Sequence, residues 1–171
     1  MTDNTRSARR LLLDQTEAAM LAATDGASLI DHARTAARRI LAADGFTFVK
    51  RIGEQTDYLA EDAIETLWAG MQFDIDKCLA GRAMLREQTI VIPDITYVEN
   101  IPLNVYLSTF IRSLVAVPFG GHPPGYAICG YWREARTFEP EDVAIAEAFA
   151  YAIERAIERL GPDVPWDSAA A

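Results

Sequence analysis

The chain has 171 residues, a formal net charge of −9 and two well-separated cysteines, Cys78 and Cys129. This length suits one domain able to bury roughly 70% of its unfolded surface, the acidic balance argues against nucleic acid as a partner, and the absence of a C-x-x-C argues against a zinc site or a thioredoxin-like motif. No apolar run approaches the ~18 residues of a membrane span and the polar N-terminus has no signal-peptide core, so the reading is cytoplasmic, off the membrane, with reduced thiols.

Residues 5–23 read as a helix, with Leu12, Leu13, Met20 and Ala23 as its apolar stripe. Asp25-Gly26 breaks it. Ser28 is placed as the N-cap of a second helix whose apolar face is Leu29, Ala33, Ala36, Ala37, Ile40 and Leu41. Arg34, Arg38 and Arg39 lie off that face and, like Arg6, Arg9 and Arg10 in the first helix, read as a solvated surface. Residues 46–52 are the first strand and 53–57 a turn. The stretch 58–72 is ambiguous: Tyr58-Leu59-Ala60 reads as a strand, while 61–68 has helical spacing. Asp76 is expected to cap a helix over 77–87, within which Gly81 marks a close backbone approach. Residues 89–92 form a strand ended by Pro93, and 102–110 a short helix starting at Pro102. Strands at 113–117 and 126–132 flank a turn at 120–125.

The last helix is expected over 140–160, with Pro140 at its first position, Glu141 and Asp142 in its first turn and Arg155 and Arg159 late, as the helix dipole prefers. Its stripe of Ile145, Phe149, Ala152, Ala156 and Leu160, widened by Val143, Ala146, Ile153 and Ile157, is broad enough for a sheet and a partner helix. Gly161-Pro162 stops it, and residues 161–171 read as a poorly ordered tail.

Four short motifs stand in order: Cys78, Gly81, Ala83 and Met84; then Ile92-Pro93-Asp94-Ile95; then Phe110 and Arg112-Ser113-Leu114; then Gly130-Tyr131-Trp132. Together they resemble the GAF domains of bacterial sensor histidine kinases over about residues 27–160. The resemblance implies an α+β fold: a central antiparallel sheet of five or six strands, long helices on one face, and short helices covering a pocket on the other. It divides the chain into an N-terminal dimerisation or signalling helix (1–24), the GAF domain (25–160) and the tail. It further implies a non-catalytic, small-molecule-sensing domain of signal transduction, such as a two-component system. That domain would dimerise through its terminal helices and control an output partner, a histidine kinase among others. A charged residue at Phe149 or Ile153 is then expected to break the homodimer.

Special branches of that family fit less well. Bilin-binding members need a cysteine beside a histidine in the segment before the Arg112-Ser113 strand, and residues 101–107 contain neither. Free methionine sulfoxide reductases need a cysteine there, where Leu107 stands, and another where Ala80 stands. A cyclic-nucleotide signature is echoed only by Phe138 and Asp142. His32 and His122 read as surface residues rather than haem ligands, and no cofactor is expected.

Seven residues are candidates for an unidentified small-molecule ligand: Trp68, Phe73, Cys78, Asp94, Tyr97, Tyr106 and Arg112. The aromatics supply apolar walls. Arg112 offers a fork for an anion or a pair for Asp94. Cys78, near a helix N-terminus, is the thiol of an alternative reading as a redox sensor. A further alternative is an interaction or dimerisation module whose pocket is filled.

Overall fold

The aromatic and β-branched run after Gly45 becomes β1 (Gly45–Ile52), a strand whose first five residues are all buried. Burial on both faces is what a central strand requires. The computed structural model describes residues 3–161, Val164 and Trp166. β1 pairs with β2 (Gln55–Ala63) on one side and β6 (Tyr126–Trp132) on the other. Adding β3 (Gln72–Asp74), β4 (Ile90–Ile92) and β5 (Ser113–Phe119) gives a six-stranded antiparallel sheet in the order β3-β2-β1-β6-β5-β4.

One face of the sheet carries α1 (Asp3–Ala22), α2 (Gly26–Leu41) and α5 (Pro140–Leu160). The other carries α3 (Leu79–Arg86) and α4 (Leu103–Leu107). Each face buries its own apolar cluster. Phe46, Phe48 and Phe149 belong to the first; Val49, Met84 and Tyr131 belong to the second.

The ambiguous stretch resolves against the helical reading of 61–68. Residues 61–63 instead complete the β2 ladder, with Ala63 opposite Gly45. A bulge sets the faces: Phe48 opposes Ala60 and Val49 opposes Tyr58, leaving Leu59 as the extra residue. Tyr58 thus joins the α3–α4 cluster and Ala60 the long-helix cluster. The turn before β2 is shorter than expected, β3 had no sequence signal, and α4 is shorter than 102–110.

Two caps also differ. Asp25, not Ser28, caps α2, its Oδ1 accepting the Ser28 N–H at 2.8 Å. Cys78, not Asp76, caps α3. At α5 the Asp142 carboxylate accepts the Glu139 N–H at 3.3 Å.

The wide stripe of α5 is satisfied within the chain. Phe149 and Ile153 are wholly buried in the long-helix cluster, so they are core residues and not the surface of a dimer. Arg9 bonds Asp142, Arg10 bonds Glu141, Arg155 bonds Glu17 and Arg159 bonds the Ala23 carbonyl. The partners rise together in number, so α1 runs parallel to α5 as its companion helix. The tail expected at 161–171 lies largely outside the described residues. Trp166, which is described, is buried with its ring 5.7 Å from Phe48 and 5.8 Å from Tyr126.

Candidate functional site

The second face gathers the chemistry. Residues 75–77 form a 3-10 turn that delivers Cys78 in extended conformation to the start of α3. The Cys78 Sγ accepts the Gly81 N–H at 3.3 Å and lies 3.4 Å from Thr56 Oγ1. The Thr56 hydroxyl donates to the Phe73 carbonyl at 3.1 Å, tying β2 to β3. Gly81 is required here because a Cβ would stand 1.9 Å from the Ile75 carbonyl oxygen. From α4, the Tyr106 hydroxyl accepts the Leu79 N–H at 3.0 Å and locks the two short helices together.

Between these elements aromatic rings meet edge to face. The Trp68 centroid lies 5.7 Å from Tyr58, 6.2 Å from Phe73, 5.3 Å from Tyr106 and 5.8 Å from Tyr131. Trp68, Phe73, Cys78 and Tyr106 line one void, together with Tyr58, Lys77, Pro102 and Val105. Its free volume is about 10 Å³, room for one water at most. Tyr58 is 1% exposed, and no described residue hydrogen-bonds its hydroxyl. On the wall behind, Thr47 Oγ1 and the Tyr131 hydroxyl are 2.8 Å apart.

Burial holds this chamber neutral. It pushes the Cys129 thiol up to about 12 and raises the hydroxyls of Tyr58, Tyr106 and Tyr131 above the ordinary tyrosine value. In the unfolded chain these groups ionise near 8.5 and 10. Above pH ~9 the unfolded state therefore binds fewer protons than the native state, and stability falls with rising pH. Each such group contributes a slope of about 1.4 kcal/mol per pH unit while it is ionised only in the unfolded chain. Denaturant midpoints at pH 8 and pH 10.5 are expected to show the loss; equal midpoints would mean that the chamber is wet.

The other three candidates lie elsewhere. Tyr97 is a correction: it is 85% exposed and lines nothing. It ends the 3-10 turn Ile95–Tyr97, and with three residues per turn the inward position belongs to Ile95. Asp94 caps that turn, accepting the Thr96 N–H at 3.0 Å and its hydroxyl at 2.6 Å. These bonds, and more weakly the Arg112 charge, hold its carboxyl below the usual range. Among the described residues no ion pair joins Asp94 to Arg112. Arg112 Nη1 donates to the Ile111 carbonyl at 2.8 Å, and the loop is fixed by the Ile95 N–H donating to the Arg112 carbonyl at 2.7 Å.

Sequence reasoning missed Tyr58, Lys77 and Val105. The Tyr58-Leu59-Ala60 run was visible as a strand, but the bulge that aims Tyr58 inward was not. A wider, open depression of about 390 Å³ lies between the β5–β6 turn and the end of α5, with Glu154 and Glu158 on its wall. Among the described residues no group of three His, Cys, Asp or Glu side chains is placed to hold a metal. Among the described residues no helix is long and apolar enough to cross a membrane.

No family model and no curated protein matches the sequence. Solved structures do match the fold. A free methionine-R-sulfoxide reductase from Neisseria meningitidis, in complex with its substrate, has a TM-score of 0.79 at 14% identity, over 94% of this chain and 93% of that one. The GAF domain of a phosphoenolpyruvate-protein phosphotransferase from Coxiella burnetii has a TM-score of 0.78 at 14% identity, over 90% and 94%. The phycocyanobilin-bound GAF domain of a cyanobacterial phytochrome has 0.73 at 14%, over 89% and 94%. Likeness at this identity is a likeness of fold.

Proposed function

The chain has a GAF-like fold, and from that premise we propose that it is a non-catalytic small-molecule-sensing domain. Its chamber under α3 and α4 takes the ligand, and its terminal helices pass the change to a partner. The observation that carries this is the convergence of Trp68, Phe73, Cys78 and Tyr106 on one void between the sheet and the two short helices. A side-chain link runs from the chamber side to α5: Thr89 Oγ1 donates to Glu147 Oε1 at 2.7 Å, just after α3 ends. From α5 the parallel contacts with α1 continue the path.

The partner is a second copy or an output domain such as a histidine kinase. Within the reading, the two buried free thiols suit a cytoplasmic setting. The reductase reading lacks its nucleophile, since Leu107 stands on α4 where that chemistry needs a cysteine.

The free volume of about 10 Å³ favours one other reading, an interaction module with a filled pocket. Thermal shift against a broad metabolite panel separates the two, because a ligand that binds the native state raises Tm. Sensing predicts at least one hit whose effect is lost when the chamber is altered. The filled module predicts a flat response. Sedimentation with and without the hit reports whether a second copy is the partner.

A further inference from the structure

The residue at the centre of the aromatic cluster is carried by neither the sheet nor a helix. Trp68 is carried by the loop 64–71 between β2 and β3, and it is 7% exposed while Ile64 and Met71 on the same loop stand out in solvent. Glu61 makes the loop turn in. Its carboxylate accepts three successive backbone N–H groups: Leu67 at 2.9 Å, Trp68 at 2.7 Å and Ala69 at 2.9 Å. Gly70 follows with φ +82° and open space around it, a conformation that favours glycine at a bend. The indole then stands among four rings at 77–84° to its plane. No described residue hydrogen-bonds the indole N–H or the neighbouring Tyr58 hydroxyl, so the fit is by shape and ring geometry without polar recognition.

We infer that Trp68 is an intramolecular stand-in for the ligand, and that the ligand is a flat bicyclic aromatic carrying a negative charge. The inference rests on the sensing reading. The ring edges around Trp68 are arranged to receive a planar π-face, which an aliphatic ligand would not offer. Opening of loop 64–71 withdraws the indole and leaves an apolar cavity of that outline, the kind that stays dry and takes up an aromatic guest. Among the described lining residues Lys77 alone carries a formal charge, and its side chain is exposed, with the ammonium 3.5 Å from Asp76. It gives an anionic substituent a partner at the mouth. Because indole and ligand exclude each other, the affinity measured is lowered by the fraction of molecules whose loop is closed. Ligand binding and loop opening are one event.

The test is calorimetric titration of the full chain with 2-naphthoate and its neutral amide, with hydrogen exchange read at residues 67–69. Trp68→Ala is expected to bind 2-naphthoate at least ~10-fold tighter than the native chain, by removal of the competitor. Glu61→Ala, which frees the loop and leaves the walls whole, is expected to move the same way and stands in if Trp68→Ala does not fold. Lys77→Gln is expected to weaken naphthoate and leave the amide unchanged. In the native chain, naphthoate is expected to speed exchange at 67–69. Equal or weaker binding by both loop variants, or slowed exchange, would make Trp68 a wall and overturn the inference. If naphthoate is ignored while other metabolites raise Tm, the aromatic-acid assignment falls and the sensing reading stands. If neither the native chain nor the loop variants bind anything in the panel, both fall.

Discussion

Gly81→Ala is expected to lower Tm by roughly 6–12 °C, a loss of about 3 kcal/mol in a domain of this size. Helix propensity alone argues the other way, since alanine in a helix interior is better than glycine by about 1 kcal/mol. The added methyl decides the sign. It would sit 1.9 Å from the Ile75 oxygen and 2.7 Å from its carbonyl carbon, and both are backbone atoms that no rotamer change can move. The start of α3 must therefore back away from the 3-10 turn. Two hydrogen bonds are stretched as it goes: the Gly81 N–H to Cys78 Sγ and the Leu79 N–H to the Tyr106 hydroxyl. Each is worth about 1 kcal/mol. The chamber roof goes with them, so ligand-induced stabilisation is expected to vanish too. A melting curve within 2–3 °C of the native chain, less than ~1 kcal/mol, would show that the turn yields cheaply.

The second large effect lies on the opposite face. Arg9 and Asp142 are each 5% exposed, and Arg9 Nη1 reaches Asp142 Oδ1 at 3.0 Å. Arg9 also donates to the Ile40 carbonyl at 2.7 Å and the Leu41 carbonyl at 3.2 Å, closing the end of α2. Arg136 donates to the other Asp142 oxygen at 3.0 Å, with its guanidinium 5.0 Å from the Trp132 ring centre. One carboxylate thus joins α1, the start of α5 and the segment before it, while Arg9 brings in the end of α2. Asp142→Ala is expected to cost about 3–5 kcal/mol, because it leaves Arg9 buried without that counter-charge. Arg9→Ala is expected to cost less, since Asp142 keeps Arg136. The double change Arg9→Met with Asp142→Leu is expected to recover at least half of the Asp142→Ala loss, because an apolar pair carries no desolvation penalty. Denaturant melts of the three variants measure this. A double variant as unstable as the sum of the singles would mean that the two residues act apart.

These effects mark where local pattern ended and three-dimensional context began. Gly81 was legible as a close approach because a glycine inside a helix demands a reason, and the reason proved to be the Ile75 carbonyl. Arg9 was read as one more solvated arginine, since nothing nearby in sequence distinguishes it from Arg10. Its partner lies 133 residues away. The apolar width of α5 was legible, but whether that width meets another copy or another part of the chain is not a property of α5. Here α1 and α2 take the surface. Tyr58 and Trp68 were obscured by the same stretch, where a bulge resets strand alternation and a carboxylate bends a loop. Neither feature leaves a period to read.

The alternation of apolar residues along the strands, the stripes along the long helices, and the glycine and proline breaks between them determined an α+β chain with a sheet between unequal helical layers. Those signals are local, and each states which side of an element must leave water. How the aromatic rings fill the chamber and which helices cover the stripe of α5 were decided only by the tertiary structure. A side chain's neighbours across the sheet depend on register, and a loop's direction depends on the group that accepts its N–H bonds. For Trp68 that group is Glu61, which turns the indole in among the rings of Tyr58, Phe73, Tyr106 and Tyr131.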